Sequence, residues 1–88
     1  LVDVLKIDKM FFDKPLNHKH QEVITHIVNM AHTLGMKVLA EGIETKEYVD
    51  FLKSIGCDYV QGYYYYRPMP LHEFQNLLKK DKHRSQTT

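Results

Sequence analysis

The stretch that decides the fold is Met36–Ile43, MKVLAEGI, which lies between two segments with helical periodicity. Its centre, Val38 to Ala40, is an uninterrupted apolar run, as expected of a short strand that is covered on both faces. The run ends at the acidic residue Glu41. A buried strand between two helices indicates a parallel sheet, because parallel strands are joined by crossover connections that are usually helical.

The two flanking helices each have a start signal and a stop signal in the sequence. The first follows Asn17 and ends at Gly35, and the second follows Thr45 and ends at Gly56. Asparagine and threonine side chains cap the N termini of helices, and glycine commonly ends a helix. The apolar positions that recur at helical spacing are Val23, Ile24, Ile27, Val28, Ala31 and Leu34 in the first helix, and Tyr48, Val49, Leu52 and Ile55 in the second.

Two further strands and a third helix extend this pattern on both sides. Leu1–Asp8 alternates loosely between apolar and polar residues, and Tyr59 with Val60 forms a short apolar pair, so both segments are predicted strands. Beyond Pro68 we predict a helix that has Pro70 in its first turn, where proline is favoured. The inward positions of this helix are predicted to be Leu71, Phe74, Leu77 and Leu78.

The order strand, helix, strand, helix, strand, helix is a repeated βα architecture. Such repeats form a parallel sheet with right-handed crossovers, in either an open doubly wound sheet or a (β/α)8 barrel. A complete barrel takes about 250 residues, whereas this chain has 88. We therefore expect residues 1–80 to be an incomplete portion of a larger domain and residues 81–88 to be a polar tail.

Composition excludes several kinds of partner. Twelve Lys and Arg residues against 11 Asp and Glu give a formal net charge of +1, so no broad basic surface is available for a nucleic acid polymer. No apolar run approaches the roughly 20 residues that span a bilayer, and no membrane contact is expected from this segment. The single cysteine, Cys57, excludes an internal disulfide. We expect it to be a buried, unreactive thiol in a cytoplasmic protein.

Polar residues lie at the carboxyl end of each predicted strand, where parallel βα proteins place their active sites. The first strand ends with Lys6 and Asp8, the second with Glu41 and Glu44, and the third with Gln61. A lysine offsets phosphate charge, and a carboxylate positions or deprotonates a water molecule. These residues suit metal-assisted phosphate chemistry. Structural ion pairs at strand ends are the alternative interpretation.

The residues themselves favour the functional interpretation. The segments LKID (residues 5–8), AEGIET (40–45) and QGY (61–63) resemble, in this order and spacing, the last three signature segments of the EAL domain family. The resemblance extends from Val2 to about Leu78. It implies the C-terminal three strands and helices of a modified (β/α)8 TIM-type barrel. It also implies a cyclic di-GMP phosphodiesterase, which produces the linear dinucleotide pGpG with Mg²⁺ or Mn²⁺ in bacterial second-messenger signalling.

The resemblance also implies a role for each residue at the strand ends. Lys6 would lie beside the scissile phosphate and the catalytic water. Glu41 would contact that water, directly or through the metal site, as the general base. Glu44 would anchor the loop that supports the metal-binding aspartates, and Gln61 would form hydrogen bonds at the floor of the site. Two metal ions would support in-line attack by a metal-bound hydroxide.

A run of four tyrosines, Tyr63 to Tyr66, follows the third strand and precedes Arg67. Aromatic rings and guanidinium planes stack on nucleotide bases, so Tyr63 and Arg67 are candidate nucleotide contacts. Packing is the alternative, because alternation along an extended segment would turn two of the four rings inward. Ligand stacking and packing both remain open for this run.

Most of the family's direct metal ligands precede the first strand of this chain. Oxygen-rich metal sites need several carboxylates, and Glu41 with Glu44 cannot hold two magnesium ions unaided. We therefore expect the chain to be inactive alone and to act with upstream EAL sequence. The family resemblance implies attached GGDEF or sensory domains, and the unpaired sheet edges predict a homodimer or a larger assembly.

Two other functions remain open at this point. A degenerate EAL domain would bind cyclic di-GMP or another protein without cleaving the nucleotide. An independent three-strand module would cover its open edges by dimerisation or domain swapping, and its melting temperature would then depend on protein concentration.

Overall fold

A computed structural model of the protein describes residues 3–62 and 68–76. In chain order its elements are strand β1 (Val4–Ile7), a 3-10 helix (Lys9–Phe12), helix α1 (His18–Thr33), strand β2 (Lys37–Ile43), helix α2 (Lys46–Ser54), strand β3 (Tyr59–Gly62) and strand β4 (Met69–Pro70). Residues 71–76 are helical. None of the helices within these two ranges combines the length and the apolar content needed to cross a bilayer.

The four strands form one sheet in the order β1-β2-β3-β4. Strands β1, β2 and β3 are parallel, and β4 runs antiparallel to β3. Each strand therefore lies beside the next one in the sequence. This order is the one found in a (β/α)8 barrel, whereas a doubly wound sheet reverses its strand order at a switch point.

The predicted start and stop signals of the two helices are confirmed. The side chains of Asn17 and Thr45 accept hydrogen bonds from backbone N–H groups in the first turns of α1 and α2, at 2.8 and 3.3 Å. After the last turns, Gly35 and Gly56 adopt φ angles of 77° and 82°. These local signals bound both helices because they satisfy backbone groups that the helices leave free.

The core fills the space between one face of the sheet and the helices. Its strand residues are Ile7, Val38, Ala40, Ile43, Val60 and Met69, and its residues from α1 and α2 are Ile24, Val28, Ala31, Tyr48, Val49 and Leu52. Burial of each large apolar side chain contributes roughly 1.5–3 kcal/mol. Two apolar positions of the periodic pattern, Val23 and Leu34, lie outside this core and are 44% and 68% exposed.

The structure differs from the prediction on either side of the site. Residues Lys9–Phe12, which follow the predicted first strand and carry no predicted element, form a 3-10 helix that begins where the Asp8 carboxylate accepts a hydrogen bond from the Met10 N–H at 2.9 Å. Pro70 belongs to β4 rather than to the first turn of a helix. Proline fits this position because β4 is the edge strand of the described sheet.

The last predicted helix is described in part. Leu71 and Phe74 are 6% and 1% exposed, which confirms their inward positions. Leu77, Leu78 and the predicted tail 81–88 lie outside the described residues. The boundary at residue 80 therefore stays a prediction.

Candidate active site at the carboxyl ends of the strands

The register of the sheet places three of the predicted site residues on one face. Lys6 pairs with Leu39, and Glu41 pairs with Gln61. Paired residues of neighbouring strands point to the same side of a sheet, and so do alternate residues of one strand, such as Leu39 and Glu41. Lys6, Glu41 and Gln61 therefore share one face, which we call the open face.

The other face of the same strands belongs to the core. Ile7, Ala40 and Val60 alternate with the residues of the open face and are 3%, 0% and 0% exposed. All three pack in the cluster that includes the helices, whereas Leu39 of the open face is not a member of it. The open face is thus the side of the sheet turned away from the helices, which is the interior side in a barrel.

Lys6, Glu41 and Gln61 lie within reach of one another on the open face. Neighbouring strands are about 4.8 Å apart, and alternate residues of a strand are roughly 6.6 Å apart. Glu41 and Gln61 are direct partners. Lys6 lies opposite Leu39, two residues before Glu41, so the Cα atoms of Lys6 and Glu41 are about 8 Å apart. Lys6 is exposed, while Glu41 and Gln61 are half-buried. A cation, a carboxylate and an amide thus converge on one surface.

A β-bulge at Gly42 determines which side chains reach this surface. The register with β3 shifts between Glu41 and Ile43, and Gly42 has a φ angle of 72°. The bulge turns Ile43 into the core, where it is 1% exposed, whereas strict alternation would place it beside Glu41. A Cβ atom at position 42 would stand 2.5 Å from the Cβ of Lys9. The glycine therefore also lets the 3-10 helix pack closely against β2.

Gly62, next to Gln61, is required for a different reason. A Cβ atom at this position would lie 2.5 Å from the Cζ atom of Phe74 and 3.0 Å from the carbonyl oxygen of Ile43. The missing side chain leaves the space that the Phe74 ring fills. The helical residues 71–76 consequently pack directly against β3 beside the candidate site.

Glu44 lies apart from the other three, in the loop between β2 and α2, and is exposed. It lines a cleft of about 480 Å³ together with Phe12, Lys14 and Tyr48. The Tyr48 hydroxyl donates a hydrogen bond to the carbonyl of Lys14, and the Tyr48 ring packs edge-to-face on Phe12 with centroids 5.3 Å apart. These contacts fix the segment after the 3-10 helix against the start of α2.

The described residues do not complete a metal site. Within residues 3–62 and 68–76, no group of three or more His, Cys, Asp or Glu side chains could hold an ion. Asp8 caps the 3-10 helix through one of its oxygen atoms, and Glu41 is the carboxylate among the three predicted site residues that share the open face. Magnesium favours about six oxygen ligands. The side chains of Glu41 and Gln61 supply too few oxygen atoms to hold such an ion by themselves.

Two predicted nucleotide contacts, Tyr63 and Arg67, lie outside the described residues and stay predictions.

The sequence pattern did not single out Asp58, which the structure places directly before β3. Its carboxylate forms hydrogen bonds with α1 and β2. The signal for it in the sequence is weak, since one acidic residue before an apolar strand is common in loops.

Comparison with known proteins identifies the class of this domain. The profile of the EAL domain matches residues 1–68. The chain therefore belongs to the EAL domain family.

Particular relatives carry names that describe activities. The cyclic di-GMP phosphodiesterase NbdA of Pseudomonas aeruginosa is 39% identical over 79 residues, covering 89% of this chain and 10% of that protein. The bifunctional diguanylate cyclase/cyclic di-GMP phosphodiesterase MucR of the same organism is 40% identical over 68 residues, covering 75% of this chain and 10% of that protein. The chain thus spans about a tenth of the length of both relatives.

Solved structures show the same fold. The crystal structure of an EAL domain protein from Listeria monocytogenes EGD-e is 41% identical with a TM-score of 0.66, and the match covers 84% of this chain and 30% of that one. This likeness confirms the predicted fold class, a set of βα units from an EAL-type barrel.

Proposed function

We propose that this chain provides three site-forming strands of a cyclic di-GMP phosphodiesterase, which hydrolyses cyclic di-GMP to pGpG in bacterial signalling. The observation that carries the proposal is the shared open face of Lys6, Glu41 and Gln61. Membership of the EAL domain family supports it, as do the names of the relatives NbdA and MucR. Because the chain spans a tenth of their length, the activity of the whole protein is part of the proposal.

In this proposal the three residues act on one phosphodiester and one water molecule. The Glu41 carboxylate accepts a proton from the water as the water oxygen attacks phosphorus, and the bond to the leaving ribose oxygen breaks. The Lys6 ammonium offsets the negative charge that collects on the phosphoryl oxygens. Gln61, as the direct strand partner of Glu41, orients the carboxylate or the water through its side-chain amide. The leaving oxygen takes up a proton from solvent.

We further propose that Mg²⁺ or Mn²⁺ is the cofactor and that Glu41 contacts it directly or through water. The other ligands would come from outside the described residues, so the chain alone is expected to be inactive. Glu44, placed in the loop that precedes α2, would anchor the loop that carries metal-binding aspartates. Tyr63 and Arg67 are proposed to contact the nucleotide.

The proposed partners follow from the family and from the sheet. The name of MucR joins cyclase and phosphodiesterase activities in one protein, which supports an attached GGDEF or sensory domain here. Strand β1 ends the described sheet, and an unpaired edge supports pairing with upstream EAL sequence or with a second copy in a homodimer. A buried free thiol, Cys57, is in keeping with a cytoplasmic protein.

Hydrolysis of cyclic di-GMP by the complete protein that carries this sequence tests the proposal. With Mg²⁺ or Mn²⁺ present, the Glu41→Gln variant is expected to lose about 10²- to 10⁴-fold in rate because it lacks the general base. The matched control is Glu22→Gln, whose side chain is 61% exposed on α1 and which should keep wild-type activity.

The other outcomes of this experiment are equally informative. Binding of cyclic di-GMP without cleavage by the wild-type protein would contradict the enzyme and indicate a receptor. If the wild-type protein shows neither binding nor cleavage, the fold stands and the proposed function does not.

A further inference from the structure

Asp58 joins three elements at the end of the sheet opposite the candidate active site. Its Oδ2 atom accepts hydrogen bonds from the Val38 N–H and from Nε2 of His32, both at 2.8 Å. Its Oδ1 atom lies 3.8 Å from Nζ of Lys37. The Asp58 side chain is 20% exposed. One carboxylate thus connects the last turn of α1 with the starts of β2 and β3.

The bond to Val38 adds one contact to the pairing of β2 with β3, just before their backbone ladder begins. Val38 lies three positions before Glu41 in β2, and Asp58 lies three positions before Gln61 of β3. The register that allows the Asp58–Val38 bond is therefore also the register that pairs Glu41 with Gln61. A slip of one residue would turn every following side chain of a strand to the other face.

The neighbouring contacts hold the same pair of strands. The Cys57 thiol contacts the carbonyl of Val38 at 3.7 Å and that of Tyr59 at 3.4 Å. Val38 is therefore engaged through both its N–H and its carbonyl group. Of these contacts, the bonds to the Asp58 carboxylate are expected to be the stronger ones, because hydrogen bonds to an ionised acceptor are roughly twice as strong as neutral ones. The distant ion pair with exposed Lys37 adds little.

We infer that Asp58 is a positioning residue for the proposed phosphodiester hydrolysis. It holds β2 against β3 at their amino ends, so that Glu41 and Gln61 stay paired at the carboxyl ends. It acts through the strands and touches neither substrate nor metal. This inference rests on the proposed function.

The test uses Asp58 variants of the complete protein, with kcat and KM for cyclic di-GMP and the melting temperature as readouts. Asp58→Ala removes the acceptor and is expected to lower kcat about tenfold or more, because small displacements of reacting groups are costly. The KM should change much less than kcat. Asp58→Asn keeps an oxygen that accepts from Val38 and is expected to restore most of the lost kcat.

Two control variants separate positioning from stability. Val28→Ala removes buried methyl groups of α1, where Val28 is 0% exposed in the core that the helix shares with the sheet, but it removes no hydrogen bond between β2 and β3. His32→Ala removes the helix contact but leaves the Asp58–Val38 bond. Both variants should lower the melting temperature and keep kcat within about twofold, because neither changes the strand register.

Several results would overturn the inference. The first is that Asp58→Ala loses no more kcat than a control variant whose melting temperature falls by the same amount. The second is that Asp58→Asn does not recover activity. If Asp58→Ala does not fold, Asp58→Glu replaces it, since it keeps the charge but displaces the acceptor. A fall in kcat without a fall in melting temperature would then support positioning, and an unchanged kcat would overturn it.

A second measurement is independent of catalysis. Amide hydrogen exchange around Glu41 and Gln61 should be faster in Asp58→Ala than in Val28→Ala, because the strand ends are held less firmly. If the wild-type protein does not cleave cyclic di-GMP, the proposed function fails. Hydrogen exchange then still tests whether Asp58 holds β2 against β3. Equal exchange in the two variants would overturn the inference.

Discussion

The two ends of the sheet hold their polar side chains in opposite ways. At the amino ends, Asp58 accepts hydrogen bonds from Val38 and His32 and lies beside Lys37. At the carboxyl ends, Lys6, Glu41 and Gln61 share the open face, and within the described part of the chain their side chains form no hydrogen bond or ion pair. One end has its polar groups satisfied internally, whereas the other keeps them available.

This difference separates a structural polar cluster from a candidate site. A polar cluster that stabilises a fold satisfies its donors and acceptors within the protein. A site that binds charged ligands must leave its donors and acceptors free until the ligand arrives. The open face meets the second description, and both ends belong to the same β2–β3 pair. Substitutions of Lys6, Glu41 or Gln61 should therefore change activity with little change in stability, whereas substitution of Asp58 should change stability as well as activity.

Apart from the Glu41→Gln variant, the largest expected effect is on activity and comes from Lys6→Met. Removing the cation is expected to slow cyclic di-GMP hydrolysis by the complete protein about 10²- to 10³-fold, because charge developing on the phosphoryl group loses its partner. The melting temperature should hardly change, since Lys6 is exposed.

The matched control for this substitution is Lys37→Met. Lys37 pairs with Val4, so it lies on the same face as Lys6 but at the amino end. It should retain the wild-type rate. Equal losses of activity in Lys6→Met and Lys37→Met would show that a lysine at the carboxyl end of the open face matters no more for hydrolysis than one at the amino end.

A smaller effect, on stability, is expected at Gly42, where the bulge directs Glu41 and Ile43 to opposite faces. Gly42→Ala should lower the free energy of unfolding by about 2–4 kcal/mol, from the strained φ angle and the overlap with Lys9. Gly35→Ala is the control, because Gly35 also has a positive φ angle but no neighbouring atom within 4 Å. It should cost only about 1 kcal/mol.

Urea denaturation of the three proteins measures this difference. Equal costs at Gly42 and Gly35 would mean that the 3-10 helix does not pack against the bulge.

The smallest expected effect concerns Cys57, which lies beside Asp58 at the amino end. Burial raises the pKa of the Cys57 thiol from 9.0 to about 11. Burial disfavours the thiolate, so the folded protein keeps the proton of Cys57 to a higher pH than the unfolded protein does. The free energy of unfolding is therefore unaffected by this group below pH 9 and falls as the pH rises from 9 towards 11. At pH 8 the folded protein should therefore react with iodoacetamide far more slowly than the urea-unfolded protein. Equal reaction rates would show that the amino end opens readily.

Local features of the fold were predictable because they depend on neighbouring residues. The caps Asn17 and Thr45 and the stops Gly35 and Gly56 act within one helical turn, and all four are where the sequence predicts them. The parallel direction of β1, β2 and β3 followed from the alternation of helices and strands, whereas the barrel order was implied by the family resemblance. The polar residues at the strand ends could be named because each follows an apolar run.

Features that depend on contacts between distant segments were not predictable. Strand β4 exists because Met69–Pro70 pairs with β3, and two residues carry no strand pattern of their own. The shared face of Lys6, Glu41 and Gln61 required the register, which a single sequence does not provide. The hydrogen bonds of Asp58 join α1, β2 and β3, and no local sequence pattern predicts them.

A double-mutant cycle between Lys6 and Glu41 tests most directly whether the open face is one catalytic unit. Cyclic di-GMP hydrolysis by the complete protein would be measured for Lys6→Met, Glu41→Gln and the double variant. Residues that act together on one phosphodiester should be non-additive, so the double variant should lose little more than the more damaging single variant. Losses that multiply, or single variants that retain the wild-type rate, would contradict a shared site at the carboxyl ends of these strands.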